Sequence, residues 1–218
     1  DAYIRSLRKL YVVACGSSYH VGMVGKYCLE RMLRLPVEVA LASEFRYMDP
    51  IVDEHTLVVV ISQSGETLDT MAALREAKRL GAKILSIVNV VGSSIARESD
   101  EALYTWAGPE IAVATTKAYT TQLAVLDLLG LYLSKTLGSL DEAERRRILD
   151  EMLLLPEKLE RVLAGKEDIQ YFASRYFNLN SVFFIGRNID YALGLEGSLK
   201  LKEISYIHSE AYASGELK

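Results

Sequence analysis

The hydrophobic pattern of the chain changes character abruptly at residue 62. Leu57-Val58-Val59-Val60-Ile61 is an unbroken apolar, mostly β-branched run, the pattern of a strand covered on both faces, as in a parallel sheet. It breaks into Ser62-Gln63-Ser64-Gly65-Glu66-Thr67. Beyond Thr67 the period is helical, with Leu68, Met71, Ala72, Leu74 and Ala77 set against Asp69, Arg75, Glu76, Lys78 and Arg79. Gly81 suits the position just past the end of that helix. The unit is strand, hydroxyl loop, helix N-terminus.

The same alternation recurs on both sides. Leu10-Tyr11-Val12-Val13-Ala14-Cys15 reads as a strand, Gly16-Ser17-Ser18-Tyr19 as a hydroxyl-bearing turn, and Val21, Val24, Tyr27, Cys28 and Met32 mark a helix that Pro36 stops. Val37–Leu41, Lys83–Val88 and the short Ala102–Thr105 are further strands, and a long helical pattern runs from Leu123 to Leu137. Strands alternating with helices predict an α/β fold, a doubly wound parallel five-stranded sheet. Right-handed crossovers gather the strand–helix loops at the strands' carboxyl ends. That places Gly16-Ser17-Ser18 and Ser62-Gln63-Ser64 on one rim.

Residues 1–138 account for this first domain. Gly138-Ser139-Leu140-Asp141 marks a break, and residues 139–218 read as connecting helices (Asp141–Leu155, Pro156–Leu163) followed by a return of the opening pattern. Val182-Phe183-Phe184-Ile185 is an apolar strand, Gly186-Arg187-Asn188 a turn, and Tyr191–Tyr206 a helix. One strand and one helix do not complete a sheet, so this portion is expected to be the start of a second, truncated copy of the fold.

Composition narrows the function classes. The chain has 218 residues, 50% hydrophobic and 25% charged, with only 4 Pro, which favours folded structure over disorder. A net charge of -4 argues against a general nucleic-acid binder. No apolar run is long enough to span a bilayer, and Asp1-Ala2-Tyr3-Ile4-Arg5 has no signal pattern. Cys15 and Cys28 have no CxxC partner, so neither a zinc nor a redox motif is present, and reduced thiols in a cytoplasmic protein are expected. No cofactor and no metal are implied.

The chemistry-bearing features lie in the loops. A helix N-terminus offers unpaired N–H groups and a positive partial charge. Ser62, Ser64 and Thr67 add hydroxyls and Gln63 an amide, a combination that suits a phosphate. Ordinary helix capping by Ser and Thr explains the same residues without a ligand. Gly16-Ser17-Ser18-Tyr19-His20-Val21-Gly22 does not spell GxGxxG, which argues against a dinucleotide site, and the serine loop lacks the lysine of a nucleotide P-loop. His20 reads as a packed or solvated side chain, His55 as a surface residue, and His208 as a cation near a helix end. Lys200 and Glu203, at i and i+3, share one helix face, where a solvated ion pair is the simplest account.

Several stretches together resemble one family. They are Ala14-Cys15-Gly16-Ser17-Ser18-Tyr19, Ala42-Ser43-Glu44-Phe45-Arg46-Tyr47, Ser62-Gln63-Ser64-Gly65-Glu66-Thr67, Glu110-Ile111-Ala112-Val113-Ala114-Thr115-Thr116-Lys117, and Leu195-Glu196-Gly197-Ser198-Leu199-Lys200-Leu201-Lys202-Glu203-Ile204, continuing to Ala213-Ser214-Gly215-Glu216-Leu217-Lys218. They resemble the isomerase half of the glutamine:fructose-6-phosphate aminotransferases (glucosamine-6-phosphate synthases), which consists of two sugar isomerase (SIS) domains. The resemblance covers nearly the whole chain. It implies conversion of fructose 6-phosphate and glutamine-derived ammonia into glucosamine 6-phosphate. By resemblance Ser62, Gln63, Ser64 and Thr67 hold the phosphate, Ser17 and Ser18 contact the substrate, Val113 and Thr115 line the site, Glu203 is the catalytic glutamate and Lys200 its neighbouring lysine. The resemblance also implies a homodimer and, in the full-length protein, a glutaminase domain. This chain carries neither that half nor the family's histidine that follows the Gly-Glu-Leu-Lys stretch, so by itself it is expected to bind sugar phosphate with little turnover and not to hydrolyse glutamine. Two other functions fit the serine loop: an SIS-type fructosamine-phosphate deglycase, and a sugar-phosphate sensor without catalysis. A sensor needs no base, so the Lys200–Glu203 pair speaks against it.

Overall fold

A computed structural model describes residues 1–217. The elements run α1 (Ala2–Ser6), β1 (Lys9–Ala14), α2 (Gly16–Leu33), β2 (Val37–Leu41), α3 (Ala42–Phe45), β3 (Thr56–Ser62), α4 (Leu68–Arg79), β4 (Lys83–Val88), α5 (Ser94–Glu98), β5 (Glu101–Tyr104), α6 (Lys117–Leu137), α7 (Glu142–Leu153), α8 (Leu155–Ala164), α9 (Lys166–Tyr176), β6 (Ser181–Gly186), α10 (Ile189–Ser205) and β7 (His208–Ala213).

Strands β1 to β5 form one parallel sheet in the order β2-β1-β3-β4-β5. Val12 is level with Val39 on one side and Val59 on the other. The strand pleat explains the unbroken apolar runs. In β1, Leu10, Val12 and Ala14 enter one core while Tyr11 and Val13 enter the other; in β3, Leu57, Val59 and Ile61 join the first and Val58 and Val60 the second. Helices α2 and α6 cover the first face and α3, α4 and α5 the second. With no solvent face there is no polar position to alternate with. Close approach of α2 to its neighbours depends on small residues: a Cβ at Gly22 would sit 2.9 Å from Val12 and Val39, and one at Gly25 only 2.1 Å from Leu126.

The order of strands reverses between β1 and β3. The crevice outside the carboxyl ends of those two strands is the topological switch point, where open α/β sheets take their ligands. Both hydroxyl-bearing stretches open from it.

The second portion holds more than one strand and one helix. His208–Ala213 forms β7, paired in parallel with β6 from Ser181↔His208 to Gly186↔Ala213, with α10 as the crossover. This βαβ unit repeats β1-α2-β2. The helix predicted to reach Tyr206 stops at Ser205, with Tyr206 left-handed at φ 60°. His208 therefore opens a strand instead of capping a helix. Between the two sheets stand α7, α8 and α9, none with a buried residue. Helix α9 was not foreseen as a separate element. Among the described residues no helix is long and apolar enough to cross a membrane.

Candidate active site

Nine of the ten residues singled out in the sequence line one cleft of about 250 Å³: Ser17, Ser18, Ser62, Gln63, Ser64, Thr67, Val113, Thr115 and Glu203. Lys200, the tenth, stands behind Glu203 with its Nζ on the Glu203 carboxylate. A larger apolar groove of about 950 Å³ runs along α1, β5 and α6, but holds none of the ten.

The serine loop is internally braced. Ser62 is buried (3% exposed) and its Oγ lies 2.9 Å from Thr67 Oγ1 while accepting the Gly65 N–H at 3.0 Å. Ser64 Oγ accepts the Glu66 N–H at 3.2 Å. Thr67 is the N-cap of α4 yet gives it no side-chain cap, so the first-turn N–H groups of that helix remain for another acceptor. Gly65 takes φ +68°, a left-handed backbone that glycine adopts without penalty.

A short element missed in the sequence, α5, holds this loop from behind. The Ile95 N–H donates to Gly65 O at 3.0 Å, and the Ser94 N–H donates to Glu66 Oε1 at 2.8 Å. The Ser94 backbone and hydroxyl hold the Glu66 carboxyl below its usual range. A depressed carboxylate contributes above its ordinary pKa and is lost as pH falls through the lower, folded value. The Ser94 amide resonance is therefore expected to titrate below about pH 4.3 and not above it; an amide shift flat through that acidic range would show that Glu66 does not brace the loop.

The other wall comes from α2. The stretch predicted as a turn, Gly16–Tyr19, is already helix, because Gly16 at φ +56° turns the chain at once. Ser17 and Ser18 thus sit in the first helical turn. Ser18 Oγ donates at 3.0 Å to Oε1 of Gln122, a residue of α6 only 2% exposed. The third wall is the loop before α6. Glu110 Oε2 accepts the Thr115 hydroxyl at 3.0 Å and the Thr116 and Ala118 N–H groups at 3.4 Å, capping α6. Burial works against that carboxylate's charge, but these hydrogen bonds prevail and its pKa is lowered. Val113 stands out at 95% exposure. Among the described residues, no Lys or Arg side chain lines the cleft.

Sequence reasoning missed a buried histidine–carboxylate hydrogen bond beside the cleft. His20 on α2 and Glu196 on α10 meet at 2.7 Å, with 15% and 9% of their side chains exposed. Glu196 Oε1 also lies 3.4 Å from Lys200 Nζ. His20 had read as a packed or solvated residue, and it is packed. His55 is partly exposed, its Nε2 3.9 Å from Glu54, and His208 lies 3.4 Å from Glu210 at the surface. Both cysteines are free and half-buried, and burial with Asp127 nearby pushes the Cys28 thiol up to about 12. Among the described residues no cluster of His, Cys, Asp and Glu could hold a metal ion.

A doubly wound parallel sheet with hydroxyl loops at its switch point defines an α/β domain of the kind that takes its ligands outside the strands' carboxyl ends, and the comparison with known proteins fixes which. The SIS domain family matches residues 3–132, and the chain belongs to it. It is similar, at 59% identity over 215 residues, to the glutamine–fructose-6-phosphate aminotransferase (isomerizing) of Clostridium acetobutylicum, covering 99% of this chain and 35% of the relative. The corresponding protein of Symbiobacterium thermophilum is 55% identical over 217 residues, 100% of this chain and 36% of its own. Among solved structures, the C-terminal domain of glucosamine-fructose-6-phosphate aminotransferase from Francisella tularensis superposes with a TM-score of 0.96 at 41% identity, over 99% of this chain and 61% of that one. The chain thus spans about a third of the length of these curated relatives.

Proposed function

We propose that this chain is the sugar-phosphate isomerising part of a glutamine–fructose-6-phosphate aminotransferase. It would accept fructose 6-phosphate and glutamine-derived ammonia and yield glucosamine 6-phosphate by ketose–aldose isomerisation. The observation that carries the reading is the convergence of three separate loops and Glu203 on one cleft at the switch point. Residues 1–138 are the first SIS domain; residues 139–218 are connecting helices and the N-terminal part of a second. A homodimer, a glutaminase domain in the full-length protein, and a cytoplasmic setting accompany the proposal.

In this reading Ser62, Gln63, Ser64 and Thr67 hold the phosphate at the N-terminus of α4, aided by the helix dipole. A cradle of hydroxyls and backbone amides suits a ligand that must leave again. Ser17 and Ser18 meet the sugar, and Val113 and Thr115 close one side. Isomerisation needs a base that carries a proton between C1 and C2. Glu203 is the carboxylate lining the cleft, with the Lys200 ammonium on it.

Ser64→Ala is expected to weaken glucose 6-phosphate binding by about 0.5–1.5 kcal/mol, the net worth of one hydrogen bond. The joint replacement of Ser62, Ser64 and Thr67 by alanine should remove it. Calorimetry that finds the triple variant binding as tightly as its parent would overturn the phosphate assignment.

A further inference from the structure

We infer that Glu196 is the positioning residue of this cleft: its buried carboxylate holds Lys200, and through it Glu203, against the helix that carries Ser17 and Ser18. The inference rests on the isomerase reading of the cleft.

Glu196, Lys200 and Glu203 follow one another at i, i+4 and i+7, so they share one face of α10. They form a continuous chain of charge, Glu196 Oε1 to Lys200 Nζ at 3.4 Å and Lys200 Nζ to Glu203 Oε2 in direct contact. The outer end, Glu203, is exposed; the inner end, Glu196, is buried. A carboxylate taken out of water needs charged or hydrogen-bonding partners close by. Glu196 finds one on its own helix, Lys200, and one across the helix interface, His20, whose Nδ1–H donates to Oε2 at 2.7 Å.

That crossing ties the two halves of the site together. His20 lies on α2 three residues, about one turn, beyond Ser17. Glu203 lies on α10 two turns beyond Glu196. Helices α2 and α10 pack on each other, and apolar contacts alone permit sliding. The His20–Glu196 bond sets their register, and with it the reach of Glu203 across the cleft. Burial opposes the charge on Glu196, yet the His20 hydrogen bond, the neighbouring Ser17 side chain and the Lys200 ammonium lower its pKa, so it stays ionised at neutral pH. Its charge also gives Lys200 a second carboxylate to span, which restrains the ammonium that sits on Glu203.

The test uses the full-length protein, solvent deuterium incorporation at C1 or C2 of fructose 6-phosphate, KM, and glucose 6-phosphate affinity. Glu196→Gln is expected to lower kcat about 10²-fold, the scale of a small misplacement of a catalytic group. Sugar-phosphate affinity should stay within about twofold, because the phosphate loop is untouched. His20→Gln should show the same kcat-only pattern, about tenfold, one hydrogen bond's worth. In a Glu203→Gln background, Glu196→Gln should cost nothing more, because a positioning residue acts only through the group it positions. Parent-like kcat in Glu196→Gln overturns the inference, as does a loss that multiplies fully with that of Glu203→Gln. If Glu196→Gln does not fold, His20→Gln decides, and parent-like kcat there overturns it. Exchange at the parent rate in Glu203→Gln brings down the isomerase reading of the cleft, and this inference with it; a slow Glu203→Gln beside a fast Glu196→Gln removes the inference alone.

Discussion

Replacing Glu203 by glutamine in the full-length protein is expected to slow proton exchange at C1 and C2 of fructose 6-phosphate by roughly 10²–10⁴-fold, the usual contribution of a positioned acid–base group. The substitution keeps the size and hydrogen-bonding reach of the side chain and removes only its ability to take a proton. It therefore separates chemistry from packing. Glu203 is exposed on α10, and its contact with Lys200 alone would be worth only a few tenths of a kcal/mol as a surface pair. If Glu203 were only half of such a pair, Glu203→Gln would leave both stability and exchange nearly unchanged. If it is the base, stability stays and exchange collapses. The decisive measurement is deuterium incorporation from solvent with sugar phosphate saturating, so that a change in affinity cannot pass for a change in rate. Parent-rate exchange would reduce Glu203 to a surface residue that happens to border the serine loops.

Much of the first sheet was legible because its chemistry is local. Both faces of β1 and β3 are covered, so each strand declares itself by a continuous apolar run. The hydroxyl loops were legible for the same reason, since strand end, small polar residues and helix start are consecutive. What stayed hidden depends on distant partners. Strand β7, His208-Ser209-Glu210-Ala211-Tyr212-Ala213, opens on three polar residues, has no apolar run to announce it, and finds its pairing partner in β6. Helices α1, α3 and α5 span 5, 4 and 5 residues, too short for a helical period to repeat. The His20–Glu196 contact joins residues 176 apart, and nothing local distinguishes a histidine paired across an interface from one merely packed. Its one signal in the sequence was the third member of a spacing, Glu196 ahead of Lys200 and Glu203, of which only the last two drew notice.

The serine loop and the small helix behind it should stand or fall together. Gly65→Ala is expected to destabilise the protein by about 2–5 kcal/mol, combining a left-handed backbone at an L-residue with forced overpacking. A Cβ built at Gly65 would lie 2.0 Å from Ser93 Oγ and 2.4 Å from Ser93 Cβ. The hydroxyl could rotate away, but Cβ cannot move without its backbone. Ser93 is the N-cap residue of α5, and α5 supplies the Ile95 and Ser94 N–H groups that hold Gly65 and Glu66. Making room therefore pulls α5 off the loop it braces, and sugar-phosphate binding should be lost along with stability. Gly92→Ala provides the control. Its φ is +71°, close to the +68° of Gly65, but nothing lies within 4 Å of its Cβ. It should cost only the backbone contribution, about 1–2 kcal/mol, and leave glucose 6-phosphate binding intact. Urea unfolding of both variants gives the difference, and calorimetry gives the binding. If Gly65→Ala proves no costlier than Gly92→Ala and still binds, the loop can yield to a methyl group, and the bracing of the hydroxyl cradle by α5 is not what sets its shape.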